Sequence, residues 1–293
     1  MNITSSEIAS QPDVWRRALE IAPAVAPVLA RPGERVLVIG CGTSAFVAES
    51  FALLREAAGL GETDAAYASE PRMWRPYDAV IAITRSGTTT EVAAALEAVP
   101  DGVARIVVTG VADSPCAALA DEVVLLDFAD EKSVVQTRFP TTFLLLARAA
   151  FGEDVSALPG LAEAALAEAG PELPDALDHF VYLGRGWTYG LAQEAALKIR
   201  EAAQAWAESY PLLDYRHGPL AVAHEGSVVW MIGTRDDDLV REIRVTGAAV
   251  VADAASDPLI ELALAQRLAV RVAESRGLDP DRPRHLTRSI VLS

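Results

Sequence analysis

Cysteine is nearly absent from this chain of 293 residues: Cys41 and Cys116 are the only two. They provide neither a disulfide framework nor metal-ligand spacing, so no metal is expected, and a reducing compartment fits. Basic residues are also scarce, 25 against 41 acidic ones, for a formal net charge of −16. No Lys/Arg cluster offsets that balance, which argues against nucleic-acid partners. Apolar runs are short, none reaching the roughly 20 residues of a membrane span. The start, MNITSSEIASQPDVW, lacks the basic and apolar regions of a secretory leader. The expectation is a cytoplasmic protein without membrane contact. Aromatics make up only 6%, so the core must come from Ala, Val and Leu. A hydrophobic content of 51% is enough for one. A small anionic ligand stays open, because a loop of backbone N–H groups can outweigh net charge locally.

What is present is a series of short apolar runs, each followed by a glycine or hydroxyl turn. Residues 1–14 read as a loose lead-in. Residues 15–30 have helical spacing interrupted by Pro23 and Pro27, which predicts a broken helix. Arg35–Ile39 (RVLVI) then reads as a buried strand, followed by Gly40-Cys41-Gly42-Thr43-Ser44 and a helix to about Ala58. Ala79–Ile83 is a second strand. Its loop, Thr84-Arg85-Ser86-Gly87-Thr88-Thr89-Thr90, contains no carboxylate and leads into a helix over 91–99. Hydroxyls and a glycine at a helix N-terminus form a phosphate cradle, although Ser and Thr are also ordinary helix caps. The order GxxxxGK[ST] is missing, so this is no P-loop. Further strands are expected at 104–108 and 122–126, an apolar helix at 141–151, and a linker with a helix at 152–178.

The pattern restarts at Phe180. FVYLGRGWTYGLAQEAALK repeats the strand, Gly-x-Gly, helix order of VLVIGCGTSAFVAES. SVVWMI at 227–232 parallels AVIAI, and AAVVA at 248–252 parallels ARIVV. The chain is therefore read as a two-fold repeat of α/β architecture with parallel sheets. In the second copy the loop at 233–238 ends in three acids, Asp236, Asp237 and Asp238. These would repel a phosphate, which places phosphate binding in the first half. Pro258–Gly277 reads as an amphipathic helix, and the tail beyond it as an ordered strap.

Residues 184–220 concentrate the chemistry. A long helical pattern carries Glu194, Lys198 and Glu201, spaced four and then three apart on one face. His217 follows, beside Gly218-Pro219. Glu–Lys pairs at this spacing are ordinarily solvated. Two carboxylates, an ammonium and an imidazole would also suffice to move protons on a sugar.

Six motifs in order resemble the sugar isomerase (SIS) domain family, most closely the tandem-SIS isomerase half of glucosamine-6-phosphate synthase. They are GCGTS at 40–44, TRSGTTTEV at 84–92, SVVQT at 133–137, GRGWTYGLAQEAALKIRE at 184–201, RHGPLA at 216–221 and DPDRPRHLTRS at 279–289. The resemblance implies two SIS-type subdomains, over 15–155 and 172–293, each a three-layer αβα unit. It implies that Ser44, Thr84, Ser86 and Thr89 hold a sugar phosphate, and that Thr43, Val134 and Gln136 lie near the sugar hydroxyls. Arg85 stands where that synthase has a glutamine and could strengthen phosphate binding. Glu201 matches the base that moves a proton between C1 and C2, with Glu194 and Lys198 as its helix partners. His217 matches a histidine that assists ring opening from the second subunit, which implies a homodimer with shared sites.

One departure from that family matters. Arg288 stands where the synthase's tail carries a Schiff-base lysine. A guanidinium is a poor nucleophile, so Arg288 would instead clamp an anionic group. The chain does not open with Met-Cys and shows no glutaminase segment, which also argues against glutamine-dependent amidotransfer. The expected function is a phosphosugar isomerase, deaminase or deglycase, without cofactor, acting on a hexose 6-phosphate, plain, amino or glycated, through an enediol or enolamine. The alternative is a non-catalytic phosphosugar-binding sensor or regulatory module. A dinucleotide-binding oxidoreductase fits poorly, because both Gly-x-Gly turns lack the third glycine.

Overall fold

In the computed structural model, residues 2–71, 73–174 and 176–292 are described. The first β-strands are the apolar runs that the sequence marks. β1 (Val36–Gly40) and β3 (Ala79–Ile83) are buried along their whole length, as continuous apolar strands between two helical layers should be. β2 (Thr63–Tyr67), β4 (Ala104–Thr109) and β5 (Glu122–Leu125) complete a five-stranded parallel sheet in the order β2-β1-β3-β4-β5. The helices between these strands are α3 (Thr43–Ala57), α4 (Thr90–Glu97) and the short α5 (Pro115–Ala118). Strand order reverses between β1 and β3. A crevice therefore opens at their carboxyl ends, where α3 and α4 begin.

The second sheet repeats this plan. β6 (His179–Gly184), β7 (Trp206–Pro211), β8 (Ser227–Met231) and β9 (Ala249–Val251) run parallel in the order β7-β6-β8-β9. α8 (Thr188–Ala203) follows β6, and α9 (Asp237–Val245) follows β8. Alternation along the strands sets the layers. Val36 and Val38 of β1, with Phe180 and Tyr182 of β6, share one central core. Leu37 and Ile39 face a second core, and Val181 and Leu183 a third. The α/β class with helix-flanked parallel sheets is as expected.

Two expectations need correction. Residues 1–14 are not a loose lead-in: α1 (Ile3–Ala9) is capped by the Asn2 side chain, and α2 spans Gln11–Leu29. α2 is also unbroken. Pro23 and Pro27 both lie on its exposed side, so the carbonyls that lose an N–H partner there can turn to water. The helical pattern from 184 onward ends at Ala203, where Gln204 takes the left-handed conformation (φ 50°), and β7 follows at once. The remaining helices are α6 (Arg138–Ala150), α7 (Leu158–Ala167) within the expected linker, and α10 (Pro258–Ser275). α10 packs on α8, and α2 on α6.

Candidate active site

The reversal of strand order in the first sheet places the loop after β1 beside the loop after β3. Gly42 carries the turn into α3 at φ 53°, where a side chain would be strained. α8 enters from the second half and packs closely on α3. A Cβ at Gly190 would strike the Phe46 carbonyl and the Ser50 hydroxyl, and Ser50 Oγ donates to the Trp187 carbonyl at 2.8 Å. This close approach brings the ionisable face of α8 to the start of α3.

There the helix spacing does what the sequence suggests. Lys198 Nζ donates to Glu201 Oε2 at 2.6 Å and to Thr43 Oγ1 at 3.1 Å. Glu194 Oε1 is 3.2 Å from the same nitrogen, an ion contact without good hydrogen-bond alignment. The three are not solvated surface groups. The side chains of Glu194 and Lys198 are 0% and 1% exposed, and that of Glu201 17%. Burial pushes the Glu194 carboxyl up to about 7, and the Lys198 ammonium only partly offsets this. Burial pulls Lys198 down, but the two carboxylates outweigh it, and the ammonium ends above its usual value.

Glu201 also lines a cavity of about 190 Å³, and so do Thr43, Thr89, Val134, Gln136 and Arg288. Three more of its lining residues, Cys41, Gly42 and Glu91, lie within the motifs but were given no site role in the sequence. Cys41 is an ordinary half-buried thiol, pushed up to about 11 by burial and the nearby Glu91. The tail residues 286–290 roof the cavity. The tail is the ordered strap expected. Ser289 accepts from Thr88 Oγ1 at 2.9 Å, the Ile290 carbonyl accepts from the Thr90 amide at 3.3 Å, and Asp281 accepts from the Thr4 amide at 2.8 Å.

Ser44, Thr84 and Ser86 are buried around the two loops and do not line the cavity. Ser86 Oγ accepts from the Thr88 hydroxyl at 3.1 Å. Thr89 is the N-cap of α4 but makes no side-chain capping bond. Arg85 does not present its guanidinium as a free anion clamp. Its terminal nitrogens donate to the carbonyls of Ser133 and Arg288, both at 2.7 Å. Arg288 is likewise engaged, holding both carboxylate oxygens of Asp130 at 2.5 and 2.6 Å. His217 is exposed and absent from the cavity wall. Within one chain the structure does not bring it to the triad.

Sequence reasoning also missed the groups that hold the 131–137 loop in place. Glu131 accepts from the Thr137 and Arg138 amides, which caps α6 from inside. Glu7 of α1 accepts from the Lys132 and Ser133 amides at 2.7 and 3.2 Å. The only sequence signal was an acid six residues before the N-cap of a helix, Thr137. Among the described residues no metal-binding group of His, Cys, Asp or Glu occurs, and no helix is long and apolar enough to cross a membrane.

Residues 29–151, which hold both loops of this crevice, match the model of the SIS domain family. This chain carries an SIS domain. The glutamine–fructose-6-phosphate aminotransferase (isomerizing) of Gloeobacter violaceus is 30% identical over 98% of the chain and 58% of its own length. The chain spans a little over half the length of such relatives. A glucosamine-6-phosphate deaminase from Thermotoga maritima superposes with a TM-score of 0.85 at 26% identity, covering 99% of this chain and all of that one. The C-terminal domain of the glucosamine-fructose-6-phosphate aminotransferase from Francisella tularensis superposes at 0.81 and 19% identity, over 97% and 98% of the two chains, which speaks for the fold. The SIS fold here is thus of the phosphosugar isomerase and deaminase type.

Proposed function

We propose that this SIS protein is an enzyme that shifts a proton between adjacent carbons of an amino or glycated hexose 6-phosphate. The observation that carries this reading is Glu201, which lines the cavity while its carboxylate is held by the buried Lys198 at 2.6 Å. A carboxylate fixed in this way is poised as a base, and the adjacent ammonium would offset charge on an enediol or enolamine. Glu194, raised towards neutrality by its burial, can hold or release a proton behind the pair. The phosphate docks where α4 begins, against Thr89 on the cavity wall, with Ser86 buried behind it and the Thr90 amide released from the Ile290 carbonyl of the tail. Thr43, Val134 and Gln136 line the space left for the sugar.

His217 assists ring opening from a second copy of the chain, so the working unit is a homodimer with shared sites. Its exposure on one chain fits that role. Arg288, bound to Asp130, takes no part in Schiff-base chemistry, and this sets the reaction apart from glutamine-dependent amination.

Proton NMR in D₂O with plain, 2-amino and glycated hexose 6-phosphates tests the proposal. Loss of a C1 or C2 proton signal is the expected result, and release of ammonia or an amino acid in the same tube separates deaminase and deglycase from isomerase. Ligand-induced shifts with no exchange on any member would overturn it in favour of a phosphosugar-binding module.

A further inference from the structure

We propose that Glu7 of α1 is a positioning residue for the proton-shifting step. It acts from outside the cavity, by fixing the 131–137 loop whose residues Val134 and Gln136 form part of the cavity wall. This rests on the phosphosugar reading above and adds a residue to its machinery.

The cavity takes part of its wall from two segments that belong to no helix or strand, the 131–137 loop and the tail at 286–290. Such segments are held by bonds to groups outside them. α1 reaches both. Glu7 accepts from the Lys132 amide at 2.7 Å and from the Ser133 amide at 3.2 Å. One helical turn earlier, Thr4 Oγ1 donates to Asp281 of the tail at 2.7 Å and lies 2.7 Å from Ser133 Oγ. Arg85 donates to the Ser133 carbonyl at 2.7 Å. The N–H, hydroxyl and carbonyl of Ser133 are thus all engaged, and the next residue, Val134, is on the cavity wall.

A plain loop anchor is the ordinary reading of such bonds, since buried amides need acceptors. Two observations go beyond it. Glu7 is only 5% exposed, and burial and the charge of Glu131 both push its carboxyl up. A carbonyl or water would accept from the same amides without the cost of a buried carboxylate; a carboxylate makes the shorter and stronger bonds. The two acids also sit at opposite ends of the loop. Glu7 holds the amides of 132 and 133, Glu131 those of 137 and 138, and the cavity-lining Val134 and Gln136 lie between. A wall braced at both ends suits a step in which misplacing the substrate by about 1 Å costs about a hundredfold in rate.

The test compares Glu7→Ala with Asn2→Ala in the full chain. Asn2 caps the same helix by accepting from the Ser5 amide at 2.7 Å, and its side chain's other bond is to Glu274, away from the loop and the tail. Solvent-proton exchange is followed on a hexose 6-phosphate that the unaltered chain turns over, and urea unfolding gives the stability. Glu7→Ala is expected to lower kcat about ten- to a hundredfold with KM within about threefold, because a misplaced wall acts on the reacting geometry more than on docking. Glu7→Gln, which keeps one acceptor, should fall between Glu7→Ala and the unaltered chain. Asn2→Ala should lower the urea midpoint and leave kcat unchanged. An unchanged kcat in a folded Glu7→Ala, or a raised KM at unchanged kcat, would overturn the inference and leave the phosphosugar reading intact. So would an equal loss of kcat in Asn2→Ala, which would make α1 a matter of stability alone. If Glu7→Ala does not fold, Glu7→Gln is judged by the same criteria, with a fall in kcat of about threefold or more expected. No exchange by the unaltered chain on any hexose 6-phosphate would overturn the phosphosugar reading itself, and this inference with it.

Discussion

The two sheets share one strand order over four strands, yet the crevices at their carboxyl ends are built differently. In the first, the helix after β3 starts at Thr89, whose side chain caps nothing, and the space before it is a cavity. In the second, the helix after β8 is capped by Asp236, which accepts from the Leu239 amide at 2.7 Å and pairs with Arg216 at 3.1 Å. Pro258 fills the adjoining space, where any side chain at Gly233 would collide with it. A helix N-terminus capped by its own carboxylate is already an occupied anion site. On the proposed reading, one residue type at the cap separates a half that would receive the ligand from a half that supports it. The supporting half contributes α8, and with it the triad.

The largest expected effect comes from removing the proposed base, Glu201, that the second half lends to the first. Glu201→Gln should slow solvent-proton exchange on the sugar by about a hundredfold or more, with ligand binding retained. Exchange at the unaltered rate would break the assignment. Next is Lys198→Met, which leaves Glu194 buried without its ammonium. Urea unfolding should show a loss of about 3–5 kcal/mol, and a loss below about 1 kcal/mol would mean that the triad is not the buried unit described.

A pH experiment isolates the second half. Burial pushes the Glu261 carboxyl of α10 up to about 8, although Trp230 Nε1 donates to it at 3.1 Å. Its folded value lies above its unfolded value of 4.5, so the folded state holds the proton that the unfolded state has released. Stability should therefore fall as pH rises from about 5 to 8.5, by about 2–4 kcal/mol at this site. Glu261→Gln should flatten the slope, and an equal slope in that variant would refute the sign.

The smallest effects compare the two helix starts directly. Ser86→Ala should weaken phosphosugar binding about threefold to thirtyfold by calorimetry with little change in stability. Asp236→Ala should do the opposite, lowering stability by about 1 kcal/mol and leaving affinity unchanged. Equal effects of both on binding would erase the distinction between the halves.

Much of this arrangement was legible in the sequence. β1, β3, β6 and β8 are continuous apolar runs, because helices cover both their faces, and the Glu-Lys-Glu spacing placed the triad on one helix face. β2 and β7 were not legible. TDAAY and WAESYP are edge strands with partly exposed, polar-mixed faces, so no apolar run marks them. No glycine announces the end of α8 either, since Gln204 takes the left-handed position. The depth of the triad was equally hidden, because spacing gives a face and not what packs on it. Arg85 and Arg288 were read as anion clamps from their charge, whereas their partners are backbone carbonyls and Asp130, set by contacts 48 to 203 residues away.

The most direct test of the division between the halves is a crystal structure of the chain with a hexose 6-phosphate whose protons it exchanges. The account predicts the phosphate at the start of α4, within hydrogen-bond reach of Ser86 and Thr89, the sugar carbons facing Glu201, and nothing at Asp236. A phosphate at the start of α9, or a sugar turned away from Glu201, would contradict it.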